Sequence, residues 1–245
     1  CPRACGVNRI TGNTGACHTD AQMRVARAAL HFWEEPCISG QEGSGAIFFT
    51  GCALGCVFCQ NTDISRGQAG KTVTVEQLAR ICLNLQAQGA NNINLVTAGH
   101  YLPAVAEALN LAKAQGLQIP VVYNSSGYEK PEALRLLDGL VDIYLPDMKY
   151  MDADLAKKYS HAGDYPEVVK IALAEMVRQC PKAEFDERGL MRKGVIVRHL
   201  LLPGHVKDSK AVLNYLYTTY RDQIFISIMS QYTPMPQIAA YPELN

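Results

Sequence analysis

No run of apolar residues in this chain approaches the roughly 18 needed to span a bilayer, and no basic-then-apolar leader opens it. Neither a membrane segment nor a secretory signal is expected. Net charge is missing too: 23 basic residues offset 23 acidic ones, so nothing marks a nucleic acid or an anionic membrane as the main partner. Also absent are a Ser/His/Asp set, a Walker loop and H-E-x-x-H, which leaves hydrolytic chemistry without a foothold. Cysteine, by contrast, is plentiful. Nine is an odd count in a chain of 245 residues, too long to depend on disulfide staples, and their grouping in loops favours metal or redox chemistry in a reducing, cytoplasmic setting. With cysteine rather than methionine at residue 1, the sequence is expected to begin inside a longer chain.

The stretch AIFFTGCALGCVFCQNT, Ala46 to Thr62, organises the rest. It sets Cys52, Cys56 and Cys59 at C-x3-C-x2-C spacing, with Phe58 just before the last thiol. Three thiolates in one loop can hold three corners of an iron–sulfur cube and leave the fourth iron without a protein ligand. Structural zinc usually takes two separated ligand pairs and closes with a fourth ligand, so it is the poorer fit.

Beyond this loop strand and helix patterns alternate, as in parallel βα units. Strands are expected at 46–50, 92–97, 119–123, 141–145, 195–201 and 225–229, mostly as continuous apolar runs of the kind buried in parallel sheets. Thr74 with Gln77 reads as a capping box for a helix to Gln88, with Cys82 on its apolar face. Further helices are expected at 103–115, 131–137 and 166–180, and one capped by Asp208 runs to about Tyr220. Right-handed crossovers curl such a sheet into a barrel or most of one, here 46–245. Residues 1–45 form a Cys-rich extension: a loop, then a helix from Thr19 or Asp20 to Trp33. Its apolar stripe would bury Trp33, and Pro36 would end it. In the loop, Cys1, Cys5 and Cys17 form a possible second metal site, weighed against free thiols.

The loop G-C-x3-C-x-F-C-Q-N after a short apolar strand resembles the cluster loop of radical S-adenosylmethionine (SAM) enzymes. It is most similar to glycyl radical enzyme activases, the pyruvate formate-lyase activating enzyme-like branch, over roughly Pro36 to the C-terminus. The resemblance implies an α/β fold, a partial (β/α)6 TIM-like barrel, holding a [4Fe–4S] cluster whose open iron chelates the amino and carboxylate groups of SAM. It implies reductive cleavage to a 5′-deoxyadenosyl radical, hydrogen abstraction from a glycine of a partner protein, and an electron donor such as flavodoxin or ferredoxin.

In a parallel barrel the strand C-terminal ends meet at one mouth, and here those ends are polar: TAGHY, NSSGY, PDMKY, LPGH and SQYTP follow the Cys loop. TAGHY stands where the family carries the Gly-Gly-Glu that holds the SAM amino group. Gly99 matches the second glycine, but Ala98 replaces the first and His100 the acid, offering no countercharge when neutral; Thr97, just before them, is counted with Gly99 and His100 among the cofactor contacts. Asp147 and Lys149 match an Asp-x-Lys pair, with Lys149 a cation for the SAM carboxylate. Arg198, inside an apolar strand, needs a partner; it resembles an Arg-x4-Pro-Gly element near SAM, or else pairs with an acid such as Asp142. Asn61 and Phe58 in the cluster loop, Asn124 and Ser126 after the third strand, and Gln231 after the last complete the cofactor-contact set. Two alternatives stand beside the activase: the same radical acting on another side chain or a small molecule, and a non-catalytic iron–sulfur protein for electron transfer or redox sensing.

Overall fold

Apolar runs punctuated by Gly and Pro become the strands of one sheet. The computed structural model describes residues 1–244. The chain runs β1 (Arg24–His31), α1 (Pro36–Ser39), β2 (Ser44–Phe49), α2 (Thr62–Ser65), β3 (Lys71–Thr72), α3 (Val75–Ala87), β4 (Ile93–Val96), α4 (Leu102–Ala114) and β5 (Val121–Ser125). It continues through α5 (Pro131–Leu134), β6 (Ile143–Pro146), α6 (Ala153–Ser160), α7 (Tyr165–Gln179), β7 (Glu184–Phe185), β8 (Met191–Leu200), α8 (Val206–Tyr220) and β9 (Phe225–Met229).

β2, β4, β5, β6, β8 and β9 pair in that order, each parallel to the next, which is the expected six-stranded βα core. β1 and β3 extend it antiparallel beyond β2, and β7 pairs with β8. No pairing joins β9 to β1 or β3 among the described residues, so the barrel is partial and open. The capping box at Thr74 and Gln77 forms as expected, and Cys82 is fully buried. Among the described residues no helix is long and apolar enough to cross a membrane.

Side-chain alternation sorts each strand between two environments. Ile47, Phe49, Leu95, Tyr123, Tyr144, Val195 and Val197 turn outward into the main core beneath the helices. The other parity faces the lumen. Its floor is filled by Val122, Ile143, Leu145 and Ile196 with Ile38 of α1, while Phe48, Val96, Asn124, Arg198 and Ser227 line the open space above. In register, Phe48 opposes Val96, Val96 opposes Asn124, and Arg198 opposes Ser227. Pairing thus sets Phe48, Val96 and Asn124 on one row, and Asp147, Arg198 and Ser227 on another two residues further toward the strand C-terminal ends.

The extension corrects three expectations. Residues 24–31 form a strand, not a helix: the Ala, Leu and Arg of RVARAALH favour a helix in isolation, but the unpaired edge of β2 offers a ladder of backbone partners that outweighs that weak preference. Trp33 is 89% exposed rather than core, because there is no helical stripe to bury it. Pro36 opens α1 instead of ending a helix, in the first-turn position where its missing N–H costs nothing. Asp208 likewise lies inside α8, not at its cap, and its carboxylate accepts from the backbone N–H groups of Met151 and Asp152.

Candidate functional site

The loop after β2 places its three thiols at the mouth. Gly51 makes the turn possible: its φ is +92°, and a Cβ there would lie 2.5 Å from the Cys17 carbonyl oxygen. Cys56 Sγ accepts from the Ser160 hydroxyl at 2.9 Å and Cys52 Sγ from the Leu54 N–H at 3.4 Å. Burial pushes the Cys52 thiol up and the Cys56 thiol up to about 12, the latter opposed chiefly by Lys149. Buried thiolates therefore need a positive partner beyond Lys149, and a metal cluster is such a partner; N–H and O–H donors aimed at sulfur suit the same role. Among the described residues no three His, Cys, Asp or Glu side chains converge on a single ion. A cube binds its thiolates at separate corners and asks for no such convergence.

The second group of cysteines, Cys1, Cys5 and Cys17, borders one cavity of about 390 Å3. Cys1 is exposed, Cys5 Sγ accepts from the Ala16 N–H at 3.3 Å, and Cys17 is buried against the Thr19 hydroxyl at 3.2 Å. Their segment is instead tied down by arginines. Arg3 donates to the carbonyls of Ala53 (2.7 Å), Ser160 (2.9 Å) and His161, and Arg9 to those of His100 (2.6 Å) and Asp20.

Behind the thiols lies a buried charge quartet. Lys149 Nζ is 2.7 Å from Asp147 Oδ2, Arg198 Nε 3.1 Å from Asp147 Oδ1, and Arg198 Nη1 3.0 Å from Glu34 Oε1. Arg198 Nη2 also donates to Asn124 Oδ1 at 2.7 Å, and Glu34 Oε2 accepts from the amides of Asn94 and Asn124. Burial opposes the charges of Asp147, Lys149 and Arg198, but their partners outweigh it: the Asp147 carboxyl is held low by Lys149 and Arg198, the Lys149 ammonium is held high by Asp147 and then Cys56, and the Arg198 guanidinium is held high by Asp147 and Glu34. Arg198 thus has its required acids, Asp147 and Glu34. Asp142 serves elsewhere, accepting from the Val121 N–H.

His100 is turned away from the mouth. Its Nε2 donates to the Thr50 carbonyl at 2.7 Å, and burial, helped by Arg9, lowers its pKa to about 4, so the ring is neutral. Thr97 sits at φ +61°, a strained conformation for a β-branched residue. Thr97, Gly99, His100 and Ser126 border a cleft against Ala53 of the Cys loop, and Glu129 closes it. Asn61 and Gln231 instead line the lumen cavity of about 590 Å3, with Asn124, Arg198 and Glu34. Phe58 is buried, edge-on to Tyr232 with ring centroids 6.5 Å apart.

Two acids of the mouth, Glu34 and Glu129, were not among the sequence candidates. The demand of Arg198 for a partner signalled that an acid must exist, but not which one. Glu129, in an ordinary turn sequence, gave no signal.

Residues 46–215 match the family model described as the Radical SAM superfamily. An uncharacterized protein of Methanocaldococcus jannaschii is 29% identical over 252 residues, an alignment covering 100% of this chain and 68% of that protein. Solved structures that align include a methylornithine synthase, at 14% identity and TM-score 0.49, over 75% of this chain and 52% of that one. Streptococcus suis SuiB aligns at 13% identity and TM-score 0.46, over 76% of this chain and 40% of its own. This chain spans about half or less of those solved chains.

Proposed function

This chain belongs to the radical SAM superfamily, whose domain carries a [4Fe–4S] cluster and SAM, and from that premise we propose that it turns SAM-derived radical chemistry on a glycine of a partner protein. When bound, the cluster supplies the electron that splits SAM into methionine and the 5′-deoxyadenosyl radical, which takes a hydrogen atom from the substrate. Cys52, Cys56 and Cys59 hold the cluster, with Leu54 N–H and Ser160 O–H donating to two of the thiolates. Lys149 offers its ammonium to the SAM carboxylate. Arg198 fixes Asp147, and Asp147 fixes Lys149, so the cation is positioned before any ligand arrives. Asn124, Asn61 and Gln231 present amides to the lumen, where the nucleoside and the substrate meet. Thr97, Gly99 and Ser126 contribute the wall of the neighbouring cleft.

The observation that carries this reading is the buried, charge-balanced Asp147–Lys149–Arg198–Glu34 set at the same mouth as the three thiols. A surface ion pair would need no such burial. The test is anaerobic reconstitution, reduction and incubation with SAM, with 5′-deoxyadenosine measured by mass spectrometry. A glycyl doublet is then sought by electron paramagnetic resonance on the candidate partner, using flavodoxin or ferredoxin as donor. No 5′-deoxyadenosine favours an electron carrier over an enzyme.

A second reading, a small polar substrate or another side chain, is supported by the lumen wall. Arg27 and His31 of β1 face the cavity together with Glu34 and Glu35, a charged lining suited to a polar molecule more than to a glycine loop. 5′-Deoxyadenosine formed without any protein radical would favour it.

A further inference from the structure

SAM ends in an amino-acid head, a carboxylate and an ammonium on one carbon, so a site that orients it offers both a cation and an acid. At this mouth most of the charges are already spoken for. Asp147 is divided between Lys149 and Arg198, and Glu34 is held by Arg198 and two amides. His100, at the turn where an acid would serve, is neutral and donates to Thr50. Glu129 is the exception. It is 7% exposed and forms no ion pair among the described residues. Among the described residues its hydrogen bonds come only from the Tyr123 hydroxyl (3.4 Å) and the Ser125 hydroxyl (3.2 Å), both long for O–H donors to a carboxylate.

The surroundings of this carboxylate suit a small cation. It faces a cleft of about 20 Å3, room for about one water-sized group and too small for a sugar or a base. Ala53, between Cys52 and Cys56, forms part of the wall, so the cleft adjoins the thiol loop. Gly99 keeps it open: a Cβ there would stand 3.2 Å from Glu129 Oε1 and 3.1 Å from the Tyr123 hydroxyl. Cys1 and Lys130 also border the cleft, but neither forms an ion pair with the Glu129 carboxylate among the described residues. A buried acid without a paired cation carries a free-energy penalty that an incoming ammonium would remove.

We propose that Glu129, in the loop between β5 and α5, is the anionic partner of the SAM α-ammonium in this chain, taking the place of the acid that position 100 lacks. The inference rests on the SAM-dependent reading above. Lys149 then meets the carboxylate and Glu129 the ammonium, and the two charges together fix the orientation of the head.

The experiment uses anaerobically reconstituted, full-length protein and equilibrium dialysis with two ligands, SAM and its des-amino analogue. Glu129→Gln should weaken SAM binding at least about tenfold, leave the des-amino analogue unchanged, and retain iron content and visible spectrum. Glu129→Asp, which keeps the charge, should recover part of the loss. Equal weakening of both ligands, or no change in SAM affinity, would overturn the inference while leaving SAM binding itself intact. Wild-type protein with a full cluster and no affinity for SAM would instead overturn the underlying reading, and this inference with it. The wild type supplies an independent measurement should the variants fail to fold. Burial, opposed by Ser125 and Tyr123 and reinforced by Asp147, raises the Glu129 carboxyl to about 7. The preference for SAM over the des-amino analogue should therefore grow as pH rises through about 7, and a flat preference contradicts the assignment. Of the other groups around it, Tyr123 stays protonated and His100 neutral across that range, while Asp147 keeps its charge. Lys130 and the Cys1 amino group border the same cleft; the amino group favours the Glu129 carboxylate and is itself lowered by burial and Lys130, so the comparison is repeated with Lys130→Met to separate their contribution.

Discussion

Replacing Arg198 with methionine isolates the charge balance on which the mouth depends. The quartet holds two cations, Arg198 and Lys149, and two acids, Asp147 and Glu34, with side chains only 10–17% exposed, so solvent screens them weakly. Arg198→Met leaves Asp147 with Lys149 but strips Glu34 of the one cation paired with it among the described residues; the amides of Asn94 and Asn124 remain. Removing one partner of a buried pair costs about 3–5 kcal/mol, most of it the penalty of the charge left behind. For a domain of this size each kcal/mol lowers Tm by about 2–4 °C, so the drop should be about 6–20 °C. Adding Glu34→Gln to Arg198→Met removes the stranded charge and should return more than half of the loss, because Asp147 and Lys149 balance one another. Thermal unfolding under anaerobic conditions, followed by far-ultraviolet circular dichroism, measures all four species of this cycle. Additivity within about 0.5 kcal/mol would refute the reasoning, since it would mean that Glu34 and Arg198 do not feel each other.

Other consequences can be checked more simply. Single Cys→Ala changes at Cys52, Cys56 or Cys59 should each abolish reconstituted iron and the visible absorbance, whereas Cys1→Ala and Cys5→Ala should leave both intact. His100, neutral in the folded state down to about pH 4 but titrating near 6.5 when unfolded, binds fewer protons folded than unfolded between those values. Its contribution to stability is therefore complete above about 6.5 and lost as pH falls toward 4, and His100→Gln should flatten that part of a denaturation-versus-pH profile. Trp33→Ala should change stability by no more than about 0.5 kcal/mol in urea unfolding, as an exposed side chain contributes little.

The barrel strands and their helices could be foreseen because each signal was local and strong. Apolar runs such as INLV and PVVY have no alternative to a buried parallel strand, and Thr74 with Gln77 fixes a helix start through its own hydrogen bonds. The extension is illegible in the sequence for the opposite reason. RVARAALH carries helix formers and no turn signal, and its strand exists only because the edge of β2, distant in local pattern, needs a partner. Trp33 is exposed for the same reason, since only a helical stripe would bury it.

Site residues divided along the same line. Asp147, Lys149 and Arg198 stood out as charges at the end of, or inside, apolar strands, where burial demands compensation. Glu34 carried no such mark, because its surroundings are exposed turn residues and its partner is 164 positions away. The consequence bears on where the functional unit begins. Glu34 and the floor residue Ile38 both precede residue 46, where the family match starts, yet one neutralises Arg198 and the other closes the lumen beneath it. Residues 24–38 are thus part of the machinery of the mouth: without them the barrel would keep its thiols and its Asp-x-Lys pair but would hold Arg198 with one acid over an open floor.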